Sequence, residues 1–251
     1  MPKKTPNRLK QTSCTKCTLK KLKCFRPLEV GEISFLERFK TGEFVAEPGA
    51  TILLEGSSSP HLFTVLSGWA FRYKTLHDGR RQILNFALPG DFIGAQASLF
   101  KEMQHSVEAL TSMVLCVFPR ERMWELYSQF PELAFDLTWL IARSERMLDE
   151  TLLSVGQRSA LERVAYVILH LFHRTKELDL VHGRSMKIPF TQQHIADALG
   201  LSLVHTNKTL RTLTERRCLR WKGNAIEILD ERQLAEIAFY ERDEEQSRPI
   251  I

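Results

Sequence analysis

No stretch of this 251-residue chain approaches the roughly 18 uninterrupted apolar residues that a membrane helix needs. The basic N-terminus is not followed by an apolar core either, so no secretion signal is expected, and the expected location is the cytoplasm with no membrane partner. Enzyme signatures are missing as well. There is no Walker phosphate loop, no GxGxxG opening a helix, no HExxH and no nucleophile elbow. His61, His77 and His105 are scattered, and no carboxylates pair at spacings that suggest an acid and a base. The chain therefore reads as a non-enzyme. Only five cysteines are present, and in a reducing compartment they are left to packing, metal binding or redox sensing rather than structural disulfides.

What charge there is favours a polyanionic partner. The net charge is +5, which alone does not separate nucleic acid from an acidic protein surface. Its distribution says more: the first 26 residues hold no Asp or Glu, and positive charge returns at Arg211, Arg216, Arg217, Arg220 and Lys222. The closing stretch with Glu241, Asp243, Glu244 and Glu245 is acidic and expected to fray. The length suits two modest domains, each with its own core.

Residues 1 to 26 are polar and poor in large apolar groups, as in a disordered arm, except for their cysteines. From Phe44 to Phe118 short β-rich runs alternate with turns. The runs are 44–46, 51–54, 62–66, 69–73, 82–86 and 113–118, with Pro48-Gly49, Gly56, Gly68, Asp78-Gly79 and Pro89-Gly90 between them. That spacing predicts a closed antiparallel roll. From Pro131 the period becomes helical, and Leu133, Leu137, Leu140, Ser144, Met147 and Thr151 recur at alternating steps of four and three. This seam predicts a partner helix, and so a homodimer; packing on its own barrel is the competing reading. A second helix is expected over about 160–174, then a loop from Glu177 to Ser185.

The most specific stretch is FTQQHIADALGLSLVHTNKTLRTLTERRCL, residues 190–219. Thr191 caps a helix that Gly200 closes, and Ser202 opens a second. Leu203, Thr206, Leu210 and Leu213 are expected inward, which turns Val204, Asn207, Lys208 and Arg211 outward. Residues 219–228 then alternate around Gly223-Asn224 as a β-hairpin wing. Helix, turn, helix and wing suit a major groove of double-stranded DNA.

The order of roll, long helix and winged helix-turn-helix resembles the cyclic-AMP receptor and fumarate-nitrate reduction regulator (Crp/Fnr) family over nearly the whole chain. The residues that carry the resemblance are Gly56, Gly68-Trp69, Asp78-Gly79-Arg80-Arg81-Gln82, Pro89-Gly90-Asp91-Phe92-Ile93-Gly94 and the pattern from Thr191 to Leu213. It implies an α+β fold. A basic cysteine-containing arm (1–27) would precede a cyclic-nucleotide-binding-like β-roll (28–130), a dimerisation helix (131–157) and a winged helix-turn-helix domain (158–251). The implied function is a transcription regulator that binds a palindromic operator as a homodimer, with recognition helices about 34 Å apart. RNA polymerase is an implied partner if the protein activates, and the hairpin His77 to Arg81 is a candidate surface for it.

Family members that bind cyclic nucleotides carry an Arg-Ser pair after the Pro-Gly-Asp turn. Here Gln104-His105-Ser106 stands there, and Ala95 replaces the expected acidic residue, which disfavours cyclic AMP. The oxygen-sensing branch instead places three cysteines in the arm and one in the roll, a layout that Cys14, Cys17, Cys24 and Cys116 resemble. The resemblance implies a [4Fe-4S] cluster on these four, with Lys16, Lys20, Lys21 and Lys23 offsetting its charge. The six-residue gap between Cys17 and Cys24 is slightly longer than that branch shows. Zinc and plain thiols stay open beside the cluster, and so does a regulator without one, answering another small effector or its own abundance. Cys218 is assigned to packing.

For the DNA contacts, the family's base-reading positions fall on Val204, Asn207 and Lys208. Lys208 suits guanine, Asn207 adenine, and Val204 a thymine methyl. His205, Arg211, Thr191 and Gln193 are expected on phosphates, beside the helix start at Ser202.

Overall fold

The computed structural model describes residues 12–241 and 247–251. The arm enters through two short 3-10 turns, Cys14–Lys16 and Leu19–Lys21, and leads to α1 (Val30–Phe39). Eight strands with one short helix among them follow. They are β1 (Gly42–Ala46), β2 (Thr51–Leu53), β3 (His61–Ser67), β4 (Ala70–Thr75), β5 (Arg81–Ala87), β6 (Phe92–Ile93), α2 (Ala95–Leu99), β7 (Ser106–Ala109) and β8 (Met113–Pro119). Helices α3 (Met123–Gln129), α4 (Pro131–Gln157) and α5 (Ala160–Glu177) come next. The remainder is β9 (Val181–His182), β10 (Ser185–Lys187), α6 (Gln192–Leu199), α7 (Leu203–Glu215), β11 (Leu219–Lys222), β12 (Ala225–Ile228) and α8 (Glu231–Ala238).

Two antiparallel sheets of order β1-β8-β3-β6 and β2-β7-β4-β5 form the roll. Both faces of the strands are covered: Val65, Val107 and Leu115 fill the interior of the roll, Leu62 packs against the helices outside it, and Phe71 and Ile83 join the core of the DNA-binding module. Gly68 makes the β3–β4 turn possible. Its φ is +89°, and a Cβ there would stand 2.5 Å from the carbonyl oxygen of Ser112. Strands β6 and β7 escape sequence reading because two to four residues carry too little alternation to register.

Pro131 stands in the first turn of α4, where its missing N–H costs nothing. The first half of this helix's seam packs on its own chain. Leu133, Leu137 and Leu140 are buried with Phe35, Phe39, Phe118 and Leu126. Ser144 and Thr151 hydrogen-bond the carbonyls of Leu140 and Met147 in the preceding turn, at 3.0 and 2.9 Å, and Thr151 also reaches Leu84. The large apolar side chains that α4 leaves in water are Phe135, Leu152 and Leu153.

The C-terminal module has its own four-stranded sheet, β11-β12-β10-β9. The segment expected as a loop over 177–185 therefore holds β9 and the first residue of β10, joined by a turn at Gly183 with φ +65°. The residues beyond the acidic stretch are packed. Asp243, Glu244 and Glu245 lie outside the described residues, but Arg248, Ile250 and Ile251 are buried. Arg248 bridges to Phe25 of the arm, and Thr64 on β3 donates its hydroxyl to the carbonyl oxygen of Ile251.

Candidate functional site

Helix α6 starts at Thr191, whose hydroxyl and backbone N–H both meet His194 Nδ1, and it ends at Gly200 in the left-handed conformation. Ser202 then caps α7 by accepting from the His205 N–H at 3.2 Å, a contact of about 1 kcal/mol. Thr206, Thr209, Leu210 and Leu213 hold α7 to the module's core, while Val204, His205, Asn207, Lys208 and Arg211 stand in water. Leu203 does not turn inward as expected. It is 39% exposed beside Val204 at 80%, so the helix opens on two aliphatic side chains in solvent. Arg211 pairs with Glu215 one turn on, at 2.8 Å, and Gln193 with Asp197 at 2.7 Å. The wing is a two-residue hairpin in which Lys222 pairs with Ala225 and Leu219 with Ile228. Cys218 is buried behind it and donates to Gln233.

This module is tied to the roll. Arg81 pairs with Asp197 at 2.8 Å, Gln82 donates to the carbonyl of Ala198 at 2.9 Å, and His194 meets the ring of Phe71 edge-on. The hairpin surface considered for a polymerase thus loses Arg81 to α6, while His77, Asp78 and Arg80 stay exposed. A second tie centres on Asp91, from the Pro-Gly-Asp turn. Its carboxylate accepts from Arg174 of α5 at 2.5 Å, Arg248 of the tail at 3.1 Å and Arg143 of α4 at 3.3 Å. Burial works against its charge, but the three guanidiniums outweigh it and hold the pKa at about 2.

Inside the roll a cavity of about 260 Å³ lies between the cassette and α4, lined by Arg72, Gly94, Gln96, His105 and Ser144. The cassette lacks an arginine, but β4 supplies one: Arg72 Nε donates to His105 Nε2 at 3.0 Å. Burial, and then the charges of Arg72 and Lys74, push His105 down to about 3, so it is the neutral acceptor for Arg72. Ser106 accepts from the backbone of Glu55.

The four cysteines divide. Cys14 and Cys116 join one apolar cluster, and Cys17 lies near enough to raise the Cys116 pKa. Cys17 and Cys24 both pack against the other large apolar cluster, with Cys24 beside Arg248 and Glu177. Burial pushes both Cys14 and Cys116 up to about 12, with Glu37 adding repulsion at Cys14. Among the described residues no three His, Cys, Asp or Glu side chains converge as a metal site. As placed, the thiols do not make the ligand set of a four-cysteine cluster. The cation beside Cys14 and Cys116 is Lys40, buried and paired with Glu43 at 2.8 Å. Lys40 and Arg72 were missed from the sequence. A lysine after a helix end and an arginine within a strand carry no signal of burial. Asp91 lay in a motif already noted, whereas its partners Arg143, Arg174 and Arg248 come from three distant segments.

Comparison with known proteins matches residues 38–130 to a cyclic nucleotide-binding domain and residues 162–237 to a Crp-like helix-turn-helix domain. The nitrogen fixation regulation protein FixK of Rhizobium meliloti is 32% identical over 186 residues, covering 73% of this chain and 81% of that protein. The transcriptional activator protein anr of Pseudomonas aeruginosa is 24% identical over 92% of this chain and 94% of its own. Among solved structures, FixK2 from Bradyrhizobium japonicum aligns with a TM-score of 0.70 at 27% identity. That alignment covers 78% of this chain and 96% of FixK2.

Proposed function

Because the chain belongs to the Crp/Fnr family of DNA-binding transcription regulators, and is not an enzyme, we propose that it acts as a homodimer on a palindromic operator. One observation carries this reading: α7 presents Val204, Asn207 and Lys208 side by side in water, on a capped helix beside a wing. Asn207 suits adenine, Lys208 guanine and Val204 a thymine methyl, while His205, Arg211, Thr191 and Gln193 reach the phosphates. Such work places the protein in the cytoplasm; no helix among the described residues is long and apolar enough to cross a membrane.

The second copy meets the outward side of α4, where Phe135, Ala142 and Leu152 are exposed. Leu133, Leu137 and Leu140 support the interface from behind by fixing α4 to the roll. If the protein activates, His77 to Arg80 is the surface left for RNA polymerase.

For the signal, the division of the thiols between two apolar clusters, Cys14 with Cys116 and Cys17 with Cys24, favours the reading without a cluster, in which a small effector in the Arg72 cavity sets the DNA affinity. Selection of operators from random duplex DNA, with sedimentation of the complex, tests the main reading. A monomer with no sequence preference rejects it. Anaerobic iron and sulfide analysis separates the two signal readings, since four irons and four sulfides per chain would restore the cluster on Cys14, Cys17, Cys24 and Cys116.

A further inference from the structure

A second cavity, of about 380 Å³, opens where α4, α5 and β5 meet, at the joint between the roll and the DNA-binding module. Its size falls in the range of small-molecule sites. Its wall carries four guanidiniums, Arg143, Arg146, Arg158 and Arg174, against the three carboxylates Glu150, Glu177 and Glu241. Arg143 and Arg174 line it, and Arg248 lies behind them on the same Asp91 carboxylate. The other carboxylate at this cluster, Glu177, stands 4.0 Å from Arg248 and is one-third exposed. Three guanidiniums thus face two carboxylates, one of them distant.

The surplus shows in unmet donors. Arg174 is 3% exposed, yet its Nε has no hydrogen-bond partner, although Nη1 reaches the carbonyl of Phe86 and Nη2 reaches Asp91. A buried N–H of a charged group left without an acceptor is costly, so native proteins rarely leave one. Asn85 Oδ1, also on the cavity wall, is likewise buried without a partner. His170 stands one turn before Arg174 on the same face of α5 and lines the cavity too. Burial and the neighbouring guanidiniums drive His170 down to about 3 and Arg143 down to about 9, the response of a site crowded with cations.

We propose that this cavity binds a small organic oxyanion, a carboxylate or a phosphate, on Arg143, Arg174 and His170. The oxyanion would supply the missing acceptors and cancel the surplus charge. A hydroxyl on the same ligand would find Asn85 Oδ1. The site is distinct from the Arg72 cavity of the roll. Because α4 and α5 each contribute a wall, its occupancy sets the angle between the roll and the DNA-binding module.

The test is titration of inorganic phosphate and of succinate into the full-length protein at constant ionic strength, followed by calorimetry, with chloride as the reference. Saturable binding of either, weakened tenfold or more in Arg143→Gln and unchanged in His105→Gln, supports the site; the better probe assigns the phosphate or carboxylate class. Should Arg143→Gln fail to fold, the same criterion applies to His170→Gln. No saturable binding above chloride, or binding that responds to His105→Gln rather than to the joint variants, overturns it. Neither readout involves DNA, so failure here leaves the operator reading standing.

Discussion

Arg81, at the start of β5, and Asp197, near the end of α6, form an ion pair at 2.8 Å that spans the roll and the DNA-binding module. Both side chains are mostly shielded, at 26% and 16% exposure, and Arg81 also lies over the Phe71 ring at 4.8 Å. Shielding lifts such a pair above the near-zero value of fully exposed ones. Arg81→Ala and Asp197→Asn are each expected to cost about 1–2 kcal/mol in urea unfolding, and the double variant hardly more than either. A coupling energy near zero would mean that the two domains are not joined through this contact.

Lys208 is the sharpest test of base reading. Lys208→Ala is expected to lower affinity by roughly tenfold or more and to erase preference at one operator position, since a good base contact provides about 1–3 kcal/mol. Arg211→Ala should instead weaken binding to all sequences and flatten the salt dependence by about one ion. Binding curves at two salt concentrations on operators varied one base pair at a time distinguish these outcomes. A uniform loss for Lys208→Ala would move it to the phosphates.

Much of this module was legible because its signals are local. Gly200 needed only its own left-handed conformation, Ser202 only the next turn, and Gly223-Asn224 only the two strands beside it. The roll was legible through the period of its longer strands. What stayed illegible was non-local. The seam of Leu133, Leu137 and Leu140 shows that a helix has an apolar side, but not whether the roll or a second chain covers it. Strands β9 and β10 are too short to show a period. The buried tail was hidden by the acidic stretch before it, and so was its pairing with the arm, where the Arg248 N–H donates to the carbonyl of Cys24, 224 positions earlier.

Asp91 makes stability depend on acid. Its carboxyl has a pKa of about 2 in the fold against an ordinary 3.8, so its contribution is fully present above about pH 4. It is lost as pH falls from 3.8 through 2, because the unfolded chain takes up the proton first. Asp91→Asn removes the charge at every pH and leaves Arg143, Arg174 and Arg248 facing one another. A loss of about 3–5 kcal/mol at pH 7 is expected, the size seen when one partner of a buried ion pair is removed. Urea unfolding of both proteins between pH 2 and 7 checks this: the difference between them should shrink below pH 4. A constant difference would assign the loss to packing instead of charge.

The cysteines should differ from free thiols in reactivity before any question of metal arises. Thiolate is the reacting form, and a pKa of about 12 at Cys14 and Cys116 leaves very little of it near neutral pH. At pH 8 the thiolate fraction is about 10⁻⁴, against roughly a quarter for a free cysteine, so alkylation should be on the order of 10³-fold slower. Exposure adds to the effect at Cys116, which is 8% accessible on β8. Timed iodoacetamide labelling with peptide mass analysis reads each site separately, and the rate at Cys14 should climb about tenfold per pH unit between 7 and 9. Lys40 opposes the shift at both sites, so Lys40→Met should slow labelling further. If Cys14 and Cys116 instead label as fast as a free thiol, they are not buried together in one apolar cluster.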